Sequence, residues 1–262
     1  SCFVGERLLE NKKFMGFDGS SVDIQSHKDA EEALRQADHR KDEFLAILGH
    51  ELRNPLSPIR SAAEALQFVE SSDERLSWAR ETIIRQVDHI TRLVNDLLDI
   101  ARLTRGKLTL RKEIVDMAVI MHHAVESTKA LFEARKHHFT LAITDEPLFV
   151  NGDPIRLTQI IENLLTNATK FTEAEGQISL EAYREGDKVV ISIKDNGIGI
   201  PKRMLSRIFE LFMQEERAAR KSSSGLGIGL ALVYKLVSLH GGTITASSKG
   251  LEKGSEFVLR LP

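Results

Sequence analysis

The strongest constraint on this chain is a run of apolar residues spaced alternately by four and three in its first half. The run comprises Ile83, Val87, Ile90, Val94, Leu97 and Ala101. This spacing is the heptad pattern of a helix that packs lengthwise against other helices. A second helical stretch with its own apolar stripe begins near residue 28. Two antiparallel helices do not enclose such a core by themselves, so we predict a helical hairpin that pairs with a second copy as a dimeric four-helix bundle.

The boundaries of this helical region are marked by polar and glycine signals. The polar stretch SSDER at 71–75 separates the two helices and offers Ser and Asp as caps. The second helix is expected to end at Arg105–Gly106. We therefore assign residues 28–108 to a dimerising helical hairpin.

Beyond Leu110 the periodicity changes from that of long helices to interleaved strands and helices. Strand-like segments include QISLEAY, KVVISIKD and SEFVLRLP, and helical ones are DPIRLTQIIENLLTNATKF and LALVYKLVSLH. Interleaving of this kind predicts an α/β sandwich, which we place at residues 112–262. The predicted fold class is a helical hairpin followed by an α/β domain.

The composition and charge of the chain restrict the classes of partner and the compartment that we expect. The 262 residues suffice for two domains, and a net charge of −2 argues against nucleic acid or an anionic membrane as the main partner. No apolar run reaches the roughly 18 residues that a membrane span needs. The single cysteine, Cys2, excludes an internal disulfide and is compatible with a reducing compartment. The chain begins with Ser1 and no signal peptide follows, so we expect a cytoplasmic fragment of a longer protein.

The segment DEFLAILGHELRNPLSPIR, residues 42–60, has a helical pattern that contains two prolines. Pro55 and Pro58 each remove an intrahelical hydrogen bond, so the sequence predicts a bend beside His50. A bend there makes sense if the helix must flex to present a reactive side chain.

The neighbours of His50 on this helix are predicted by its pitch. The stripe expected to face inward comprises Phe44, Leu48, Leu52 and Leu56. At about 100° per residue, His50 lies about 200° from its neighbours in that stripe and points to solvent. Asn54 follows one turn later on the same face, and Glu51 is adjacent in sequence. An ordinary surface histidine is the plainer interpretation, and the prolines favour a functional one.

A polar helix face in the second domain has the chemistry of a phosphate and metal site. In QIIENLLTNATKF, Asn163, Asn167 and Lys170 are spaced by four and three and share one face. Amide oxygens are hard ligands suited to Mg²⁺, and a lysine neutralises phosphate charge. A solvated polar face is the alternative.

The segment KDNGIGI, at the end of a predicted strand, has the features of an adenine site. Asp195 offers an acceptor for the exocyclic amine of the base, and Gly197 and Gly199 allow the backbone to approach a flat ring. Taken alone, this segment is also compatible with an ordinary turn.

A glycine-rich segment, SSSGLGIGLALVYKL, precedes the last predicted helix. Gly225, Gly227 and Gly229 lead into a helix amino terminus, whose free amides and dipole favour phosphate. The spacing is neither that of a dinucleotide fingerprint nor that of a Walker loop. Upstream, FELFMQEERAARKSSS is first apolar and then charged, which is typical of a mobile lid anchored by Phe209 and Phe212.

These motifs together carry a family resemblance that spans about residues 28–262. FLAILGHELRNPLSPI resembles the phosphoacceptor motif of sensor histidine kinases. The order of the asparagine helix, DNGIG, FELF, GLGIGL and GSEF is similar to their catalytic ATP-binding domain, a relative of the gyrase ATPases. The resemblance implies a homodimer with ATP and Mg²⁺ as cofactors, and a response-regulator receiver domain as partner.

The resemblance also implies roles for individual residues. His50 would accept the γ-phosphoryl group of ATP, Glu51 would fix the reactive tautomer of its ring, and Asn54 would orient water when the partner regulator is dephosphorylated. Asn163 and Asn167 would be the metal ligands. The implied nucleotide site adds Phe171, Phe209, Leu226 and Ser255 to the residues above.

One departure from the gyrase-type ATPases bears on the reaction. Those relatives place a glutamate that activates water where this chain has Asn163, and Glu162 lies about 100° off that face. We therefore predict phosphoryl transfer to His50 rather than hydrolysis. Two other functions are compatible with these motifs: a nucleotide-binding scaffold without catalysis, and an enzyme whose main output is dephosphorylation of the regulator.

The first 27 residues resemble the end of a sensor domain. FMGFDGSSVDIQSHKDAEEALRQA is similar to the last strand of a PAS domain that continues into a signalling helix. We predict a strand end and a glycine turn here, as the remnant of an upstream sensor domain. An incidental tail is the alternative.

Overall fold

The structure, a computed structural model, describes residues 2–10, 13–22, 54–63, 66, 73–104, 108–211, 213 and 227–262. The chain divides into two compact units, Ser1–His50 and Glu51–Pro262.

The amino-terminal unit contains an antiparallel hairpin. Strand β1 (Cys2–Glu10) pairs with β2 (Lys13–Val22), from Cys2 opposite Val22 to Glu10 opposite Lys13. The predicted glycine turn is wrong, because Gly16 and Gly19 lie inside β2 and pair with β1. Glycine permits a turn but does not require one, and here the reversal falls between the two strands instead. The origin of this unit in a sensor domain stays a prediction.

The second unit begins with two helical segments. Residues 54–63 (α1) are helical through Pro58, which cannot donate a hydrogen bond to the carbonyl of Asn54. Helix α2 (Asp73–Thr104) starts inside the predicted polar break and ends next to the predicted Arg105–Gly106 stop. The predicted bend beside His50 lies outside the described residues.

The residues of the predicted apolar seam of α2 lie on one face of the helix but differ in exposure. Ile83, Ile90 and Leu97 are half-buried, whereas Val87 and Val94 are exposed. Exposure of one side in a single chain is compatible with a seam that packs between two copies, because a heptad pattern does not distinguish packing within a chain from packing between chains. The dimeric bundle stays a prediction.

Of the stripe predicted to face inward on the first helix, Leu56 is 53% exposed in the single chain, and its neighbour Pro55 is buried. The inward position of Leu56 in a dimeric bundle stays a prediction. The other members of that stripe lie outside the described residues.

The rest of the unit is an α/β domain. Its elements in order are β3 (Glu113–Asp116), α3 (Met117–Ala134), β4 (His138–Ile143), β5 (Phe149–Gly152), α4 (Pro154–Phe171), β6 (Gln177–Glu185), β7 (Lys188–Asp195), α5 (Lys202–Leu205), α6 (Gly229–Leu239), β8 (Thr243–Ser247) and β9 (Ser255–Leu261). The five-stranded sheet has the order β4-β6-β7-β9-β8, with β4 and β6 parallel and the other pairs antiparallel. Strands β3 and β5 form a separate antiparallel ribbon. The predicted succession of helical region and α/β domain is confirmed.

Helix α4 is the centre of the core. It packs against α3, α6 and the sheet, and Ile160, Ile161, Leu164 and Leu165 are almost fully buried. Strand β6 alternates so that Ile178, Leu180 and Ala182 face the helices. Burial of one large aliphatic side chain contributes about 1.5–3 kcal/mol.

Both ends of α4 are held by side chains. At the amino terminus, Asp153 accepts hydrogen bonds from the backbone amides of Ile155 and Arg156, and Pro154 occupies the first turn. At the carboxyl terminus, the guanidinium of Arg135 donates to the carbonyls of Thr169, Lys170 and Thr172. The sequence of α4 thus forms a helix with defined ends.

Within the described part of the chain, no helix combines the length and the apolar character required to cross a membrane.

His240, just after α6, is a buried histidine in its neutral form. Its Nδ1 donates to the carbonyl of Leu236 at 2.8 Å, so Nε2 is free to accept the backbone amide of Asp153 at 3.0 Å. The ring therefore ties the end of α6 to the start of α4. Burial, assisted by the positive charge of Lys112, lowers the pKa of His240 below its ordinary 6.5.

This arrangement predicts a pH-dependent stability. Below about pH 6.5 the unfolded chain protonates His240 while the folded chain does not, so the free energy of unfolding falls as the pH drops from there towards the lowered folded pKa. Urea unfolding of the wild type should lose more free energy between pH 7.5 and 5.5 than that of His240→Gln, which should itself cost about 1–3 kcal/mol at pH 7.5.

The exposed His122→Gln variant is the control and should keep the wild-type pH dependence. Equal slopes for the wild type and His240→Gln would contradict this account.

Candidate functional site

The carboxyl-terminal half of α4 adjoins the start of α6. Asn163, Asn167 and Lys170 are half-buried, and the side-chain oxygen of Asn163 lies 3.5 Å from the position that a Cβ on Gly229 would occupy. The structure thus brings the predicted asparagine face next to the predicted glycine segment. A larger side chain at Gly229 would enter the space in front of Asn163.

The amino terminus of α6 leaves backbone donors at this position. Ile228 occupies the N-cap and is buried, and its aliphatic side chain has no acceptor with which to cap the first amides. Gly227 has a φ of +65°, a left-handed conformation that favours glycine. The first backbone amides of α6 and the side-chain oxygen of Asn163 therefore lie close together. The amides suit an anion such as phosphate, and the oxygen suits a cation bound to it.

Asp195, at the end of β7, is buried and held by its own chain. Its Oδ1 accepts from the amides of Gly197 at 2.8 Å and Ser255 at 3.3 Å, and its Oδ2 accepts from the Ser255 hydroxyl at 2.5 Å. Burial raises the pKa of this carboxyl group, and the hydrogen bonds from Ser255 and Gly197 act in the opposite direction. The carboxylate is thereby fixed in orientation.

The loop after Asp195 is pressed against the end of α4. The amide of Ile198 donates to the carbonyl of Phe171 at 3.0 Å, and a Cβ on Gly197 would stand 2.2 Å from that same oxygen. Only glycine fits at position 197 without a shift of the backbone. The asparagine helix and the DNGIG loop are therefore one connected structure.

A second loop, between β8 and β9, closes over the first. The amides of Glu252 and Gly254 donate to the carbonyls of Ile198 and Gly197, and Gly199 has a φ of +68° where a Cβ would meet the carbonyl of Gly250. Each glycine of the motif thus has a contact that requires it.

Ser248 organises this pair of loops and was not identified from the sequence. Its hydroxyl accepts from the amide of Ile200 at 3.0 Å and donates to the carbonyl of Gly254 at 2.6 Å. The only available signal was a serine ahead of the glycines at 250 and 254, which is too common to single out.

Two further side chains of α4 are oriented by their neighbours. The ammonium of Lys170 lies 5.1 Å from the centroid of the Phe171 ring. The hydroxyl of Ser127 on α3 donates to Glu162 at 2.5 Å, so that carboxylate is held toward α3. The predicted direction of Glu162, off the asparagine face, agrees with this contact.

Of the remaining predicted site residues, some lie within the described part of the chain and others lie outside it. Phe209 packs against the core beside Tyr234 and Phe257, with ring centroids 5.6 and 6.5 Å away. Asn54 is exposed on α1. His50, Glu51, Phe212, Gly225 and Leu226 lie outside the described residues.

The close approach at Gly197 gives a test of the site's construction. Gly197→Ala should lower the free energy of unfolding by about 1–3 kcal/mol, because the new methyl group overlaps the Phe171 carbonyl and forces α4 and the loop apart. Urea denaturation measures the loss.

Gly186→Asn is the matched control. Gly186 also has a positive φ, but nothing lies within 4 Å of its Cβ position, and asparagine tolerates this conformation. This variant should stay within about 0.5 kcal/mol of the wild type. A Gly197→Ala variant as stable as the control would refute the inferred contact.

Comparison with known proteins identifies the two parts of the chain. Residues 40–106 match the family model of the His Kinase A (phospho-acceptor) domain. Residues 152–262 match that of the histidine kinase-, DNA gyrase B-, and HSP90-like ATPase. The second match contains the asparagine helix, the DNGIG loop and the glycine segment.

Individual relatives agree with these matches. The chain is 33% identical over 239 residues to the circadian input-output histidine kinase CikA of Synechococcus elongatus, with 89% of this chain and 31% of CikA covered. The full-length ShkA structure in complex with AMPPNP is 31% identical at a TM-score of 0.62, covering 84% of this chain and 45% of ShkA. The histidine kinase ThkA, in complex with the response regulator TrrA, shares the fold at 21% identity and a TM-score of 0.61, covering 99% of this chain and 73% of ThkA.

The chain thus spans about a third of the length of CikA and under half of ShkA. Its phospho-acceptor domain precedes the ATPase-type domain in the order predicted from the motifs. The chain belongs to the sensor histidine kinases and carries their transmitter core.

Proposed function

We propose that this chain uses ATP to phosphorylate His50 and then passes the phosphoryl group to an aspartate of a response-regulator receiver domain. The observation that carries the proposal is the convergence of the Asn163 oxygen and the amide end of α6, in a domain whose family binds nucleotide. A phospho-acceptor domain in the same chain supplies the receiving histidine.

Adenine recognition is assigned to Asp195 and its loop. Because Gly197 and Ser255 already hold both carboxylate oxygens, the group needs no reorganisation to accept a hydrogen bond from the exocyclic amine of the base. Gly197 and Gly199 carry no side chains beside it, and Phe171 and Phe209 are assigned to the nucleotide site as its aromatic groups. Gly225, Leu226, Gly227 and Gly229 are assigned to the phosphates.

The residues present suit a Mg²⁺ ion held largely by the nucleotide. Among the described residues, no three acidic, histidine or cysteine side chains gather as metal ligands. Asn163 and Asn167 offer neutral amide oxygens, which fit an ion whose other ligands are phosphate and water. When bound, the ion would offset the negative charge of the phosphates.

The transfer step follows from the chemistry of imidazole. A ring nitrogen of neutral His50 forms a bond to the γ-phosphorus, and the bond from that phosphorus to the bridging oxygen breaks, so ADP leaves with the electron pair. Glu51 accepts the proton on the other ring nitrogen. In the second step the P–N bond breaks as an aspartate oxygen of the receiver takes the phosphoryl group. Asn54 is assigned to a separate reaction, the dephosphorylation of the regulator, in which it orients the attacking water.

Transfer rather than hydrolysis is favoured by the position of Glu162. The hydrogen bond from Ser127 holds this carboxylate toward α3 rather than toward the asparagine face. Asn163 carries no basic group with which to activate water. The γ-phosphoryl group is thereby kept for His50.

Incubation with γ-labelled ATP tests the proposal. The wild type should acquire a label that is labile to acid and stable to base, as a phosphoramidate is, and His50→Ala should acquire none. His122→Ala, an exposed histidine on α3, is the control and should label like the wild type. An unlabelled wild type, or equal label on His50→Ala, would show the proposal to be wrong and favour a nucleotide-binding scaffold.

The partners follow from the same assignment. A homodimer is supported by an exposed apolar line on α2, here called the outer stripe: Ile84, Val87, Thr91, Val94 and Leu98. Its spacing of three and four is that of a coiled-coil seam, and four of its members are between 41% and 49% exposed. We assign it to the matching helix of a second copy.

Charge in the outer stripe should separate the copies. Leu98→Glu should shift the species observed by light scattering at micromolar concentration from dimer to monomer, because a carboxylate would be buried without a partner. Arg85→Glu, on the opposite side of α2, is the control and should remain dimeric. A dimeric Leu98→Glu would count against the outer stripe as the interface.

The remaining partners are a receiver domain and an upstream sensor domain. ThkA, which shares the fold, has been crystallised with a response regulator. The sensor assignment rests on residues 1–27 and their resemblance to a PAS domain. Nucleic acid is not expected, given the net charge of −2. We keep the division into residues 1–27, 28–108 and 112–262 as a proposal.

A further inference from the structure

The carboxylate of Asp99, near the end of α2, is held by two side chains of α4. Its Oδ1 accepts from Nη2 of Arg156 at 2.9 Å, and its Oδ2 accepts from Nη1 of Arg156 at 2.5 Å and from Gln159 at 3.2 Å. Arg156 Nη1 also donates to the side-chain oxygen of Gln159 at 2.8 Å. We call these three residues the stalk clamp, and the helical region formed by α1 and α2 the stalk.

The stalk clamp differs from the surface ion pairs of the same unit. Asp99 is 6% exposed, whereas the single-contact pairs Arg207–Glu210 and Arg260–Glu185 have glutamates that are at least half exposed. Exposed pairs of that kind contribute little. A buried, bidentate pair is strongly directional, because both forks must lie in one plane.

The neighbourhood of Asp99 is poorly solvated. Asp96 lies one turn earlier on α2, and burial together with the negative charge of Asp99 raises the pKa of Asp96 to about 6. A carboxylate at Asp99 in such surroundings requires a cationic partner, which Arg156 supplies.

Apolar contact accompanies the stalk clamp. Ile100 and Leu103 of α2, and Leu108 after it, pack against the core of the ATPase-type domain. Apolar packing holds the two parts together but is not directional. The stalk clamp adds the orientation that apolar packing does not set.

One rigid helix joins the stalk clamp to the nucleotide site. Arg156 and Gln159 occupy the first half of α4, and Asn163 follows Arg156 by about 10 Å along the helix axis at 1.5 Å per residue. Because α4 is buried and capped at both ends, a tilt at Arg156 displaces Asn163 and Asn167 as well.

We propose that Asp99, Arg156 and Gln159 are positioning residues that orient the nucleotide-binding face of α4 relative to the stalk for phosphoryl transfer. The proposal rests on the proposed function, since it concerns the delivery of the γ-phosphoryl group to His50. None of the three side chains is assigned a contact with ATP. Their loss therefore acts on the transfer rate and not on nucleotide affinity.

The test compares the rate of His50 labelling with the affinity for ATP in the variant Asp99→Asn. This variant keeps the size of the side chain but gives Arg156 no opposite charge and presents an amide N–H₂ toward the guanidinium. At saturating ATP, the initial rate of labelling of His50 should fall at least tenfold, while the Kd for ATP, measured by calorimetry, should stay within twofold of the wild type.

Arg156→Lys is the milder second variant, which keeps the charge and loses the fork. It should reduce the labelling rate less than Asp99→Asn, again with an unchanged Kd. The exchanged pair Asp99→Arg with Arg156→Asp should recover at least threefold of the rate lost in Asp99→Arg alone. Such recovery would show that the contact between positions 99 and 156, rather than either side chain alone, sets the rate.

Glu185→Gln is the matched control, because it converts a carboxylate to an amide in an exposed arginine pair on the sheet edge. It should label at the wild-type rate. Labelling of Asp99→Asn and Arg156→Lys at that rate, a parallel loss of rate and affinity, or no recovery in the exchanged pair would overturn the proposal. Failure of the wild type to label would instead overturn the proposed function.

Discussion

The hydrogen bond between the amide of Ile198 and the last carbonyl of α4, on Phe171, is the contact on which the site depends. It joins the helix that carries the asparagines to the loop that follows Asp195. Gly197 makes the approach possible, and the loop around Gly254 then closes over both. Without this hydrogen bond, the helix end that follows Asn163 and Asn167 would not be joined to the loop that follows Asp195. The other contacts of the site support its geometry.

Much of this domain was predictable from its sequence, for identifiable reasons. Helix α4 has Asp153 and Pro154 at its start and a continuous apolar face, and the strands of the sheet alternate clearly. Helix α3 and the β3–β5 ribbon were not predicted, because their residues carry weak local signals; α3 is stabilised by packing on α4, and Val115 and Val150 of the ribbon by burial in the core. Asp195 and the glycines were found from their motif. Ser248 and Arg135 act through hydrogen bonds to backbone atoms of other loops and of a helix end, which no local sequence pattern encodes.

The stalk shows a different limit of sequence reasoning. Helical spacing correctly predicted that α2 is a long helix with apolar residues on more than one turn. It could not decide which of those residues pack within the chain, and the seam divided between half-buried Ile83 and exposed Val87. The turn assigned to Gly16 and Gly19 failed because glycine is equally compatible with a paired strand. For both α2 and β2, the sequence does not reveal which helix or strand packs or pairs against them.

The guanidinium of Arg135 has an electrostatic consequence beyond closing the end of α4. A helix carboxyl terminus carries roughly half a negative charge, spread over its last carbonyls. In this molecule that terminus contacts the loop assigned to adenine, so it would repel the phosphates of a nucleotide bound there. Arg135 donates to the carbonyls of Thr169, Lys170 and Thr172, and its positive charge opposes the negative end of the helix dipole there. Arg135, which is assigned no contact with phosphate, would thus make the electrostatic potential at the nucleotide site less negative.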